Sequence, residues 1–224
     1  MTVSAHTRET ILAIGILTAA GDAMSIERLA YRTIEQEGQF ELRVIEPHVV
    51  AETFVDGDFE RVGNEGFRRL VEYIGGANRA QAKISMTAPV VQEPASEEIA
   101  MTAPVSQEKV GDRYRITFLM PSKYTLETLP QPTDPRIHLR AEPVRSVAAI
   151  RYTGFWSRSR YDEHERRLRE WIQRRGLEPI SEPVWARYDP PFMPWFLRRN
   201  EVLIEVRERG SETPRGESGT IETS

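Results

Sequence analysis

Cysteine is absent from all 224 residues. That excludes disulfides, thiolate metal sites and thiol catalysis, and it leaves the redox compartment open. Histidine is scarce. His6, His48, His138 and His164 are the four, and no two fall at ligand spacing on one element, which argues against a structural metal site. Basic clusters are missing too. The net charge is −4, with 30 Lys and Arg interspersed among 34 Asp and Glu, whereas a nucleic-acid groove needs clustered cations. There is no Gly-x-Ser-x-Gly elbow, phosphate loop or dinucleotide fingerprint, so no nucleophile–base constellation is visible.

Long hydrophobic runs are also lacking. No stretch approaches the roughly 20 apolar residues of a membrane span; the nearest is Ile11–Ala20. Residues 1–24 read as an N-terminal appendage. A signal peptide is one reading of it, although Arg8 is balanced by Glu9 and Gly21-Asp22-Ala23 makes a poor cleavage site. A start at Met24 is another. The expected location is cytoplasmic, or periplasmic if the appendage is a signal peptide. Residues 209–224 have almost no apolar content and read as a disordered tail. Between them, 25–208 form one domain in a chain 39% hydrophobic and 29% charged, enough to build a core.

A phrase is present twice. Lys83–Val90 reads KISMTAPV and Glu98–Val105 reads EIAMTAPV. Ile84, Met86, Ala88 and Val90 alternate, as do Ile99, Met101, Ala103 and Val105, which is the period of a half-buried strand. The spacing predicts strands over 83–92 and 98–107, paired as a hairpin with Met86 and Met101 on one side. Pro89 and Pro104 cannot donate to a ladder and belong at an edge or bulge.

A longer repeat underlies it. Residues 49–55 and 145–152 read as strands. Helical spacing is found over 60–74 (Phe67, Leu70, Val71, Ile74) and 159–175 (Tyr161, His164, Leu168, Trp171, Ile172). Phe67–Ile74 overlays Glu165–Ile172 at an offset of 98 residues, with Arg-Arg-Leu, Glu and Ile recurring in place. Further strands follow each helix, including 113–120, 182–188 and 201–207. The pattern predicts an α+β fold duplicated from a strand-helix-strand-strand unit.

The remaining candidates each admit two readings. His48 suits an axial ligand to a porphyrin iron, or a surface histidine at a strand mouth. His164 suits helix packing. Met86 and Met101 suit soft ligands, an adaptable pocket wall or ordinary core. Tyr188–Phe196, stiffened by three prolines, suits the wall of a flat apolar ligand or a barrel plug. Arg198 and Arg199 suit ligand carboxylates or salt bridges at a strand end.

Several motifs in order resemble the SOUL haem-binding family: Phe40–Arg43, Val49–Thr53, Tyr73–Gly76, Lys83–Val90, Phe118–Ser122, Tyr188–Pro191 and Arg198–Val202. The resemblance covers about 26–207. It implies a twisted antiparallel β-barrel flanked by two helices, with pseudo-two-fold halves similar in fold to effector-binding domains of bacterial multidrug regulators. It also implies non-covalent binding of haem or another tetrapyrrole, without catalysis, for carriage, buffering or sensing. Where a histidine ligand is proposed in the family, this chain has Val44; His48 stands four residues further on. The expected ligand-contacting residues are His48, Leu70, Val71, Ile74, Trp195, Arg198 and Arg199, with His48 on the metal. The competing expectation is a stand-alone effector-binding module for another flat or amphipathic molecule. An enzyme would need an acid–base pair that the sequence does not display. Neither nucleic acid nor a membrane span is expected.

Overall fold

The computed structural model describes residues 26–80, 96–190 and 192–209. In chain order the elements are β1 (Glu27–Arg28), β2 (Tyr31–Glu37), β3 (Phe40–Ile45), β4 (His48–Val55), α1 (Phe59–Ile74), β5 (Asn78–Arg79), β6 (Thr102–Ala103) and β7 (Val105–Val110). They continue with β8 (Arg113–Leu119), β9 (Gln131–Pro132), β10 (Ile137–Glu142), β11 (Arg145–Thr153), α2 (Arg158–Arg174), β12 (Leu177–Pro179), β13 (Val184–Arg187) and β14 (Arg199–Glu208). No helix among the described residues is long and apolar enough to cross a membrane.

One ten-stranded sheet runs β10-β4-β8-β7-β13-β14-β11-β3-β2, with β12 paired to β14 off this path. Every pairing in it is antiparallel. The sheet curls without closing, so the expected barrel takes the form of a half-barrel with edges at β10 and β2. The order is palindromic about the β7–β13 pair. One arm is β10-β4-β8-β7 and the other β3-β11-β14-β13, with α1 following β4 and α2 following β11. Each repeat lends its first strand to the other arm: β3 pairs with β11, and β10 with β4. Gly57 and Gly154, which close β4 and β11, share a φ near +130° (132° and 131°). Only glycine enters that region without strain.

Both helices pack on one face of the sheet. Leu70, Tyr73 and Ile74 of α1 join Tyr161, Leu168, Trp171 and Ile172 of α2 in a single core with Ile116, Ile150, Trp185, Val202 and Ile204. A smaller cluster, with Ile45, Val147, Ala149, Tyr188 and Leu203, occupies the other face. The middle strands are therefore buried on both sides, which is why Val147–Ile150 reads as an unbroken apolar run.

The repeated phrase resolves differently from its expectation. The first copy lies outside the described residues. In the second, 98–101 is not strand, β6 pairs in parallel with β1, and the chain re-enters the sheet at β7 after Pro104. Pro104 thus sits at a break between short strands. β7 is already flanked by β8 and β13, so Val105–Gln107 has no ladder left to offer 83–92; its hairpin partner is β8. Ile99 and Ala103 are buried as alternation predicts, but Met101 is 43% exposed.

Candidate functional site

A cavity of about 300 Å³ opens between α1, the second copy of the phrase and the loop after β13. Phe67 of α1, Met101 and Val105 of the phrase, Trp156 before α2, and Pro190 and Phe192 of the loop supply apolar walls. Gly63 and Asn64 face it from α1. Gly63 has a local reason. A Cβ there would stand 2.8 Å from Gln107 Oε1 and 3.5 Å from the Arg187 guanidinium. Gly66, one turn on, lets the helix settle on β8, where a Cβ would lie 2.4 Å from Ile116 Cγ1.

Arg187 is the cavity's cation. Its guanidinium lies 5.0 Å from the Trp156 ring centre, Nε donates to Tyr161 Oη at 3.1 Å, and Nη2 reaches Gln107 Oε1 at 3.4 Å. No carboxylate among the described residues lies at ion-pair distance from it. Asp189, the acid in the wall, is engaged otherwise: its Oδ2 accepts the Arg199 backbone N–H at 2.5 Å. With Tyr188 N–H donating to Arg199 O, this clamps the two ends of the loop together.

Beneath the clamp lies a buried ion cluster. Arg43 donates to both oxygens of Glu201 at 2.7 and 3.0 Å, Arg199 Nη2 donates to Glu201 Oε1 at 2.7 Å, and Tyr188 Oη donates to Oε2 at 2.8 Å. Burial pushes the Glu201 carboxyl up, but the hydrogen bonds and charges of Arg43 and Arg199 outweigh it and hold it below the usual carboxylate range. Burial also pushes the Tyr188 hydroxyl well above its ordinary value, reinforced by the Glu201 charge. The cluster is a buried structural pair whose geometry offsets its desolvation.

The expected site residues do not converge. Leu70 and Ile74 are buried in the core against the sheet, and Val71 packs beside them. Trp195 is 48% exposed and stacks on Phe155 outside the cavity. Arg198 donates from Nε to Met193 O and lies over Trp156, while Arg199 is paired with Glu201. His48 lines two other cavities, a small one with the polar side chains of Glu108, Arg115, Glu142 and Arg145, and one of about 390 Å³ with Val49, Met120, Tyr124 and Leu126. Its Nδ1 meets Glu46 O at 2.8 Å, and burial lowers its pKa from the ordinary histidine value. His164 is packed, as expected of it: it stacks on Tyr152 at 3.8 Å between ring centres. Sequence reasoning missed Phe67, Trp156 and Arg187. The one local signal toward them was the pair of glycines inside an otherwise regular helix.

A family profile described as SOUL heme-binding protein matches residues 26–205. Heme-binding protein 1 of Xenopus tropicalis is 29% identical over 172 residues, spanning 75% of this chain and 84% of the relative. Heme-binding protein 2 of Homo sapiens is 27% identical over 183 residues, spanning 79% and 83%. Among solved structures, the EcmrR C-terminal domain shares the fold at a TM-score of 0.52 and 12% identity, covering 76% of this chain and 98% of that one. With the duplicated half-barrel, the family's motifs in order and a match over nearly all of the described chain, this protein belongs to the SOUL haem-binding protein family.

Proposed function

We propose that the chain binds haem or a related tetrapyrrole, non-covalently, in the apolar cavity beside α1, for carriage, buffering or sensing. The observation that carries this reading is one apolar cavity holding one guanidinium, Arg187, with no carboxylate paired to it among the described residues. A flat macrocycle gains about 25 cal/mol for each Å² of apolar surface it buries. Its carboxylates would meet Arg187, which takes the propionate role expected of Arg198 and Arg199. The residues present therefore fit a porphyrin. Met101 adds a polarizable thioether to the wall. The relatives' names support the same ligand class. A binding role is what the apolar walls and the relatives' names support. His48 stands outside this site and takes no part in it.

Hemin titration followed at the Soret band tests the reading. Saturable binding in the micromolar range, about 8 kcal/mol, is expected. Phe67→Ser should weaken it and His48→Ala should leave the spectrum unchanged. A Soret band shifted by His48→Ala would move the site to the cavities around His48. Failure to bind hemin at roughly tens of micromolar, while another flat aromatic ligand is retained, would replace this reading with that of an effector-binding module.

A further inference from the structure

Five large apolar side chains stand exposed on two adjoining loops: Phe192 at 85%, Leu197 at 59%, Phe196 at 56%, Phe155 at 55% and Trp195 at 48%. Three of them touch in a row, and Leu197 follows directly in the chain. Phe155 stacks on Trp195 at 5.2 Å between ring centres, and Trp195 meets Phe196 edge-on at 5.6 Å. Single exposed apolar residues need no explanation, but a contiguous group does. The loop beneath is braced: Met193 N–H donates to Pro190 O and Leu197 N–H to Pro194 O, so the aromatic tips are held outward.

Arginines gather beside the rings in a chain whose net charge is −4. Residues 154–160 and 192–199 contain Arg158, Arg160, Arg198 and Arg199 and no Asp or Glu. Arg158 and Arg199 are matched by Asp162 and Glu201. Arg160 and Arg187 have no ion pair among the described residues. The Arg160 guanidinium carbon lies 3.2 Å from where a Gly154 Cβ would stand, beside Phe155.

We propose that this corner docks on an anionic lipid bilayer. Indole and phenyl rings at protruding tips, with guanidinium groups behind them, match the headgroup layer: the rings enter the interface and the arginines meet lipid phosphates. The rings are about half or more exposed at loop tips, which suits a soft phase that yields around them. Phe192 and Trp156 are also cavity walls, so docking sets the mouth of the cavity against the membrane, where apolar ligands partition. The inference rests on the exposed surface and holds whichever apolar molecule the cavity takes.

Co-sedimentation of the full chain with phosphatidylcholine–phosphatidylserine vesicles, without ligand, tests it. Binding should exceed that to pure phosphatidylcholine and fall as salt rises. Trp195→Ser combined with Phe196→Ser should lower the partition coefficient by about tenfold or more. Arg160→Gln should lower it by about fivefold on mixed vesicles and leave pure phosphatidylcholine unaffected. Thermal unfolding of each variant, with Trp195 and Phe196 exposed and Arg160 half-buried, checks that the fold is intact. Absence of wild-type binding to mixed vesicles at low salt would overturn the proposal, as would an unchanged double variant. A concentration-dependent dimer that the double variant dissolves would also overturn it, by assigning the patch to a second copy of the chain.

Discussion

Where α2 carries Tyr161 and His164, α1 carries Gly63 and Gly66, at the same offset of 98 that aligns Leu70 with Leu168 and Tyr73 with Trp171. Tyr161 is fully buried among Phe59, Tyr152 and Trp185, and His164 stacks on Tyr152. Their counterparts have no side chain. At Gly66 the strand moves in against the helix, and at Gly63 the space opens into the cavity. Each helical glycine costs about 1 kcal/mol relative to alanine. A duplicated fold tolerates that cost on one side because the other is filled with aromatics. Dense aromatic packing and the cavity thus fall to equivalent elements of the two halves.

The largest expected effect falls on the filled half. Trp171 is fully buried, stacks on Phe40 at 5.6 Å and donates from Nε1 to Glu37. Trp171→Ala should lower unfolding free energy by about 3–5 kcal/mol in a denaturant melt, while hemin affinity, read at a temperature where the variant is folded, stays the same. A parallel loss of affinity would break the division of roles.

The ion cluster under the cavity loop should respond to acid and to substitution alike. Glu201, whose pKa lies below its ordinary 4.5 in the folded state, binds fewer protons folded than unfolded around that pH. Its contribution is therefore complete above about pH 4.5 and is lost as pH falls through the lower folded value. Glu201→Gln leaves buried Arg43 with Glu41 as its one carboxylate partner and Arg199 with no ion-pair partner among the described residues, and should cost about 3 kcal/mol. The variant's melting temperature should also lose this part of its acid dependence. An unchanged acid limb would remove Glu201 from the account.

On the open half, Gly66→Ala should cost about 1–3 kcal/mol by overpacking, because the added carbon would meet Ile116 Cβ at 2.7 Å rather than a flexible tip. An equally stable variant would mean that the helix can lift off β8 and that the glycine is not a packing requirement.

The smallest stability effect and the sharpest binding effect belong together at Arg187. Arg187→Leu takes a donor from the buried Tyr161 hydroxyl and should cost about 1 kcal/mol of stability, yet weaken hemin by about tenfold, the worth of a charge-assisted hydrogen bond. A tetrapyrrole with its carboxylates esterified should bind wild type and variant equally. If the variant discriminates between acid and ester as wild type does, the anion contact lies elsewhere.

Much of the scaffold was legible in the chain. The helices expected over 60–74 and 159–175 are observed at Phe59–Ile74 and Arg158–Arg174, because apolar residues at helical spacing must face one core and Gly75 and Gly176 offer stops. The duplication was legible for the same reason, since equivalent buried positions demand equivalent side chains. The site was not. An apolar helix face marks burial without distinguishing core from cavity, so Leu70 and Ile74 pointed to a ligand when their partner is the sheet.

Periodicity, glycine placement and the ordered family motifs determined by themselves that this chain builds two strand-helix-strand-strand units of the SOUL type. Tertiary structure decided what no local pattern encodes. It exchanged β3 and β10 between the arms, because curling the sheet puts each beside the other repeat's central strand. It settled Met101, for which a soft ligand, a pocket wall and core were all open, at a cavity wall, because 98–101 lies outside the sheet. It also brought Phe67, Met101, Trp156 and Arg187 together from separate segments, a convergence that depends on three-dimensional closure and leaves no periodic trace along the chain.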